Sequence, residues 1–283
     1  MRKCVFHVII LMMTPCFALA ESPKAWSDFK APVGKTSEAI GRYNLGCLMG
    51  GAELPVKGRG FESIRRHRNR YYGHQRLIGF LRDYGERITK ASLQPVLIGD
   101  LSQPRGGRMS SGHRSHQIGL DADVWFTRPR RGARGSDRSF PSMVDLKNER
   151  IDRKHWNEDK AKLLKLAAED SRVARVFVHW VIKQEVCRVA TGDRAWLAKI
   201  RPWWGHSSHF HIRLGCASTD QACVDQQPVK PADGCGEERW FSRASVARRA
   251  RQKGKPPRQG PAKKKPSLHP RCHHLLVTGR APE

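Results

Sequence analysis

Two short windows concentrate histidine and aspartate in this chain. The first, SGHRSHQIGLDADVWF, holds His113, His116, Asp121 and Asp123, and the second, WWGHSSHFHIRLGC, holds His206, His209 and His211. Imidazole and carboxylate are ligands for a divalent cation, and two histidines plus one carboxylate with an open position recur at catalytic zinc. Either window alone is ordinary, since His-x-His pairs and polar loops are common. Both in one chain, without an HExxH helix, point to a metal site assembled from distant segments.

The spacing assigns parts to the residues. His116 and Asp123 lie seven apart, and Gly119 between them permits the reversal that brings an imidazole and a carboxylate to one point. His209 and His211 are two apart on an alternating stretch, so on a strand they point the same way. One can then hold a metal while the other reaches the reacting water. His206 has the opposite parity and falls just outside that strand. Asp121 shares the face of Asp123, either steadying a ligand histidine or serving as a plain structural aspartate.

These residues need a scaffold. Arg76 to Ile88 reads as a helix, with Leu77, Phe80, Leu81 and Tyr84 at near-helical spacing. QPVLIGDL is a short buried strand followed by a turn-rich loop, and LDADVWF is a second strand entered from the first window. NEDKAKLLKLAAED, from Asn157 to Asp170, is an amphipathic helix. VARVFVHWV reads as a strand, DRAWLAKI as a short helix and SSHFHIRLG as the strand carrying His209 and His211. The order predicts an α+β single domain on a small, mainly antiparallel sheet flanked by helices and long loops. Residues 21–60 are expected to be loop-rich, and RPRRGARGSDRSFP a basic surface loop.

The first twenty residues have the three-part pattern of a secretory signal peptide, with Arg2 and Lys3, an apolar run and a small-residue end at Ala20. Cleavage after Ala20 removes Cys4 and Cys16 and leaves six cysteines, which in an exported protein read as three disulfides with fifteen connectivities open. The absence of any CxxC pair argues against a zinc cluster. No later segment is a transmembrane candidate.

The chain carries 53 Lys+Arg against 26 Asp+Glu, a net charge of +27 that falls to +25 without the leader. Such a charge favours polyanions. Export turns the expectation from nucleic acid to anionic cell-wall polymers and lipid head groups. The Lys-, Arg- and Pro-rich tail, residues 247–283, is too polar to offset its ordering entropy and is expected to be unstructured, as a wall-binding strap or a connector. Cys272 must nevertheless reach something folded.

GHRSHQIGLDAD followed by GHSSHFHIRLGC resembles the penicillin-insensitive murein endopeptidases, within a wider group that includes lysostaphin-type enzymes, D-alanyl-D-alanine peptidases and hedgehog domains. RYYGH, VLIGD, GGR, KLAAED, RVFV, RPWWGH and DGCG sit in the same order, so the likeness covers the chain from 21 to about 246. It implies a hedgehog/D,D-peptidase-like fold and a zinc peptidase domain over 21–246. It also implies zinc ligands His116, Asp123 and His211, with His209 as the catalytic histidine. His206 and His113 would line the same cleft, with His113 a ligand of a second, more weakly held metal. The remaining ligands of such a second site have no clear equivalent, because Lys147 and Arg150 occupy their register and Asp152 and His155 are displaced from it. The implied disulfides are Cys47–Cys272, Cys187–Cys235 and Cys216–Cys223. The implied substrate is the D-alanyl–meso-diaminopimelyl cross-link of periplasmic peptidoglycan, and Tyr71, Tyr72, Trp203 and Trp204 are candidates to line its groove.

Besides an exported nucleic-acid binder, which only the charge supports, two other readings compete with this one. Ser27-Asp28-Phe29-Lys30 matches the SxxK of serine D,D-peptidases, but it stands beside the leader with no KTG or SDN partner. A non-catalytic, zinc-stabilised wall-binding module would not need His209 beside a complete ligand set.

Overall fold

The computed structural model describes residues 25–129, 140–252 and 266–282. The proposed leader, with Cys4 and Cys16, lies outside the described residues, as does the centre of the basic loop, 130–139.

A seven-stranded mixed sheet organises the chain. Its strands are β3 (Lys57–Gly58), β4 (Phe61–Ser63), β5 (Val96–Ile98), β6 (Asp121–Trp125), β7 (Val173–Val178), β8 (Ile200–Pro202) and β9 (His209–Leu214). They lie in the order β8-β7-β9-β6-β5-β4-β3. Four of the six pairings are antiparallel, and only β7–β8 and β4–β5 are parallel. The expected α+β architecture is therefore present. Helices α1 (Gln75–Lys90) and α2 (Glu158–Ala168) follow the amphipathic runs and join one core with the sheet. Tyr84 is wholly buried there and donates to Leu163 O at 2.9 Å.

Alternation along the two central strands decides what the sheet offers on its other side. Ala122, Val124, Phe210 and Ile212 turn to the core. Asp121, Asp123, His209, His211 and Arg213 then share the opposite face.

The structure differs from the sequence expectation in three places. First, the segment read as loop-rich carries an antiparallel hairpin of β1 (Glu38–Arg42) and β2 (Leu45–Met49), closed by Tyr43 and Asn44. Gly41, at φ +84°, lies where a Cβ would be 2.6 Å from Leu45 O, so the glycines that suggested loop serve close strand approach.

Second, the strand read over VARVFVHWV stops at Val178. His179 caps a helix instead, its Nδ1 accepting from Val181 N at 3.2 Å, and α3 (Trp180–Val189) follows. An unbroken apolar run hid that boundary, because period-2 and period-3.6 patterns are indistinguishable within it.

Third, the tail is not devoid of structure. Helix α4 (Arg243–Gln252) enters it, and α5 (Pro270–Thr278) ends it with Cys272 and Leu275 buried against Trp26, Ile40 and Met49. Its cysteine and a bidentate Arg271–Glu38 pair (2.5 and 2.7 Å) fasten this helix to the first hairpin, which supplies the burial that composition could not reveal. The six cysteines pair as Cys47–Cys272, Cys187–Cys235 and Cys216–Cys223, the connectivity implied by the resemblance.

Candidate metal centre

The centre grows from the pairing of β6 with β9. Their register sets His211 opposite Asp123, His209 opposite Trp125 and Arg213 opposite Asp121. Directly opposed residues on antiparallel strands share a face, so these side chains form one row above the sheet. Phe177 of β7 stands opposite His211 and continues the row, its ring 5.3 Å from that imidazole.

The loop before β6 brings in the other histidines. Gly119, at φ +73°, sits where a Cβ would lie 2.7 Å from the Leu48 side chain and 2.8 Å from His74 N, so the expected reversal does require glycine. His116 itself has φ +67°, a left-handed conformation that is uncommon for a side-chain-bearing residue. Two bonds hold it there: its N–H donates to Asp121 Oδ2 (2.9 Å) and its Nδ1 donates to Leu101 O (2.7 Å). The second bond places the ring proton on Nδ1 and leaves Nε2 with its lone pair unused.

That lone pair faces Asp123 Oδ1 at 3.5 Å. His116 is wholly buried and Asp123 nearly so, and both of these atoms lack a hydrogen-bond partner. His211 reaches the same oxygen with Nδ1 at 3.3 Å, while its Nε2 is 2.9 Å from Asp121 Oδ1. Three lone-pair atoms converging on one buried point repel one another unless a cation lies between them. The donor set therefore fits a divalent metal, with nitrogen and oxygen ligands suited to zinc among others. His113 joins from the rim: one ligand atom from each of His113, His116 and Asp123 lies within 4.8 Å of the others. Its Nε2 stands 3.3 Å from Asp100 Oδ2 and 3.4 Å from Asp123 Oδ2.

The surrounding charges prepare these groups. Burial alone would raise the Asp123 pKa, but His113 and His209 outweigh it and hold the carboxyl well below the usual range. Asp121 is likewise buried, and Arg213 with His211 keeps it ionised. Arg213 binds Asp121 through Nε at 2.7 Å and its terminal nitrogen at 3.2 Å, and its guanidinium rests 4.2 Å from the Tyr43 ring. Asp121 thus holds His116 by its backbone and His211 by its ring, the contacts that a steadying role would need.

His209 and His206 flank the cluster. His209 Nε2 is 3.7 Å from Asp123 Oδ2, its ring leans on Trp125 at 4.8 Å, and its Nδ1 has no partner. Burial lowers its pKa, keeping the imidazole neutral. His206 lies outside β9 at φ +54°, its ring 5.0 Å from that of His209. It donates from Nδ1 to Trp204 O at 2.8 Å, and burial followed by the neighbouring imidazoles lowers its pKa to about 3.

All six predicted site residues are therefore brought together. The displaced pair Asp152 and His155 is not part of the cluster; their side chains bond each other at 2.8 Å. Among the groove aromatics, Trp203 and Trp204 are half-exposed beside His206, whereas Tyr72 is buried and donates to Glu53. Sequence reasoning assigned no part to Asp100, Arg213 or Phe177. Arg213 shares the parity of His209 and His211, a signal that was there to read. Asp100 follows a short strand and meets His113, Arg68 and Arg70 only through the fold.

A sheet-borne imidazole–carboxylate cluster, with neutral histidines at its open side, is the equipment that a metal-dependent hydrolase needs. The profile of the family "Penicillin-insensitive murein endopeptidase" matches residues 39–277, and the chain belongs to that family. Relatives of that name include one from Haemophilus influenzae, 42% identical over 95% of this chain and 93% of that protein. Others are from Klebsiella pneumoniae, at 37% identity, and Escherichia coli, at 36%, each over 98% of both chains. The match runs past Cys272 and nearly to the end of α5.

Proposed function

We propose that this chain is a zinc-dependent murein endopeptidase that hydrolyses D-alanyl–meso-diaminopimelyl cross-links in peptidoglycan. The observation that carries the reading is the pair of buried, unpartnered atoms, His116 Nε2 and Asp123 Oδ1, with His211 Nδ1 beside them. His116, Asp123 and His211 would hold the ion, and His113 is placed to ligate it or a second, weaker one. Zinc, when bound, supplies a water acidified to a pKa of about 7 and polarises the scissile carbonyl.

The chain's own residues do the rest. Neutral His209 accepts a proton at a ring nitrogen as the nucleophile attacks, and Asp123 beside it favours the resulting imidazolium. His206, its Nδ1 proton committed to Trp204 O, keeps the Nε2 lone pair as a second acceptor at the cleft. Asp121 and Arg213 keep the ligand rings in register, so that the attacking geometry is set before substrate arrives.

Among the described residues no helix is long and apolar enough to cross a membrane. Three disulfides suit an oxidising compartment, and with the leader they support a periplasmic enzyme cleaved after Ala20, its positive charge suited to the anionic wall. The proposed organisation is leader 1–20, peptidase domain 21–246 and C-terminal segment 247–283.

Digestion of isolated sacculi tests the reading. Zinc-loaded protein should convert cross-linked muropeptide dimers to monomers, and a chelator should stop it, read by mass spectrometry of the released fragments. Persistence of dimers with zinc-loaded protein would overturn it, leaving a zinc-stabilised wall-binding module.

A further inference from the structure

Beside the metal centre, on the far side of Phe177, lies a groove of about 650 Å³ between β7, β8 and the chain around α4. Arg175, Arg201, Arg239 and Arg248 line it, against a single acid, Glu237. Arg201 binds Glu237 at 2.9 Å, which leaves three guanidinium groups without a carboxylate lining the same space. Arg239 and Arg248 are exposed and make no side-chain ion pair among the described residues. Clustering like charges in this way costs folding energy, and a bound anion relieves it. Burial, then Arg213 and Arg201 beside it, lower the Arg175 pKa.

Aromatic rings form the rest of the wall. Trp203 and Trp240 are each about half-exposed, and Phe241 packs between Trp204 and Trp240 at 4.7 and 5.0 Å. Trp240 is held in place by Arg249, whose guanidinium lies 3.7 Å from the ring and donates to Trp240 O at 2.7 Å. Half-exposed tryptophans that are buttressed from behind are unusual on a surface that needs only solubility, and they suit a ligand with an apolar body and charged ends. Phe177 belongs to both places: it lines the groove and packs on His211 and His206. A peptide lying in the groove is therefore one side chain away from the metal cluster.

We propose that this groove is a substrate subsite for the carboxylate-bearing arm of a murein peptide, with the arginines taking its carboxylates and Trp203 and Trp240 its apolar stem. The proposal rests on the murein-endopeptidase reading for the identity of the peptide. Arginine is suited to the task because its planar fork matches a carboxylate bidentately.

Binding of an uncross-linked murein tetrapeptide to the full chain, followed by tryptophan fluorescence and calorimetry, tests the subsite without requiring turnover. The double reversal Arg239→Glu/Arg248→Glu should weaken binding at least about tenfold, the ~1.4 kcal/mol worth of one to two such contacts. Arg239→Lys/Arg248→Lys should recover part of it. A tetrapeptide with its carboxylates amidated should bind the wild type and the double reversal equally. Equal dissociation constants for the free-acid peptide across wild type and double reversal would overturn the subsite. Failure of the wild type to cut cross-linked dimers overturns the endopeptidase reading instead, and the two results are separable because one measures binding and the other hydrolysis.

Discussion

Asp123 and Lys183 are both buried ionisable groups, and their surroundings are finished in opposite ways. The Lys183 ammonium donates to Leu197 O at 2.7 Å and Asp233 O at 2.6 Å, one helical turn from the Cys187–Cys235 bridge. Asp123 Oδ1 accepts nothing and faces imidazole nitrogens at 3.3 and 3.5 Å. An unmet buried polar group costs about 1–3 kcal/mol. At Lys183 two carbonyls satisfy the donors, so that only the penalty of burying the charge itself remains, and the group ties α3 to the segment around Asp233. At Asp123 the cost is left standing, and a cation is what would remove it. Burial alone therefore does not mark the metal centre; what distinguishes it is the pair of buried, unpartnered ligand atoms of His116 and Asp123 facing one another.

The largest effect expected from that contrast comes from Asp123→Asn, which keeps the shape and removes the anionic ligand. Metal content should fall to background and muropeptide cleavage by ~10³-fold or more, since the ion contributes several kcal/mol at the transition state. Zinc at a hundredfold its dissociation constant should stabilise the wild type by about 2.7 kcal/mol and the variant by nothing, read from thermal unfolding with and without chelator. Zinc-dependent stabilisation of the variant would break the comparison.

His209→Ala sharpens it, because this imidazole is proposed to take the proton and not to ligate the metal. Turnover is expected to drop ~10²–10⁴-fold, with zinc content by atomic absorption unchanged. Loss of metal would move His209 into the ligand set.

Asp121→Asn should act more mildly on the metal. Weakening its hold on the His211 ring should lower zinc affinity ~10–100-fold. It also strands buried Arg213, at about 3–5 kcal/mol of stability. Competition with a chromogenic chelator reads the first and urea unfolding the second.

The same contrast explains what the sequence could and could not reveal. The meeting of His116, Asp123, His209 and His211 was legible because imidazole and carboxylate are the side chains a metal centre draws on, and strand alternation fixes which residues share a face. Helices α1 and α2 were legible for the same kind of reason, a periodic apolar stripe. Asp100 was not, because its meaning lies in His113, thirteen residues on, and in Arg68 and Arg70, about thirty residues back. Helix α3 was hidden inside an apolar run, and α5 in a composition that reads as disordered until Cys272 and Arg271 tie it to the first hairpin. Lys183 carried no signal: nothing near it in the chain indicates that two distant carbonyls await its ammonium.

Lys183 gives the smallest effect, confined to stability. Burial, then Arg201, lowers its pKa to about 8 from the usual 10.5. The folded chain thus gives up this proton before the unfolded chain does. Below pH 8 both states hold it, and the folded state bears the cost of the buried charge. Between about 8 and 10.5 the unfolded state binds more protons, so stability should rise with pH, by up to about 3 kcal/mol over the window. Tyrosines titrate nearby, so the observable is the difference between wild type and Lys183→Met in urea-unfolding free energy against pH. That difference should move in favour of the wild type as pH climbs from 8 to 10.5, with muropeptide cleavage at neutral pH the same in both. A pH-independent difference would mean that the two carbonyls hold the ammonium as comfortably as water does, and a cleavage defect would place Lys183 on the functional side of the comparison.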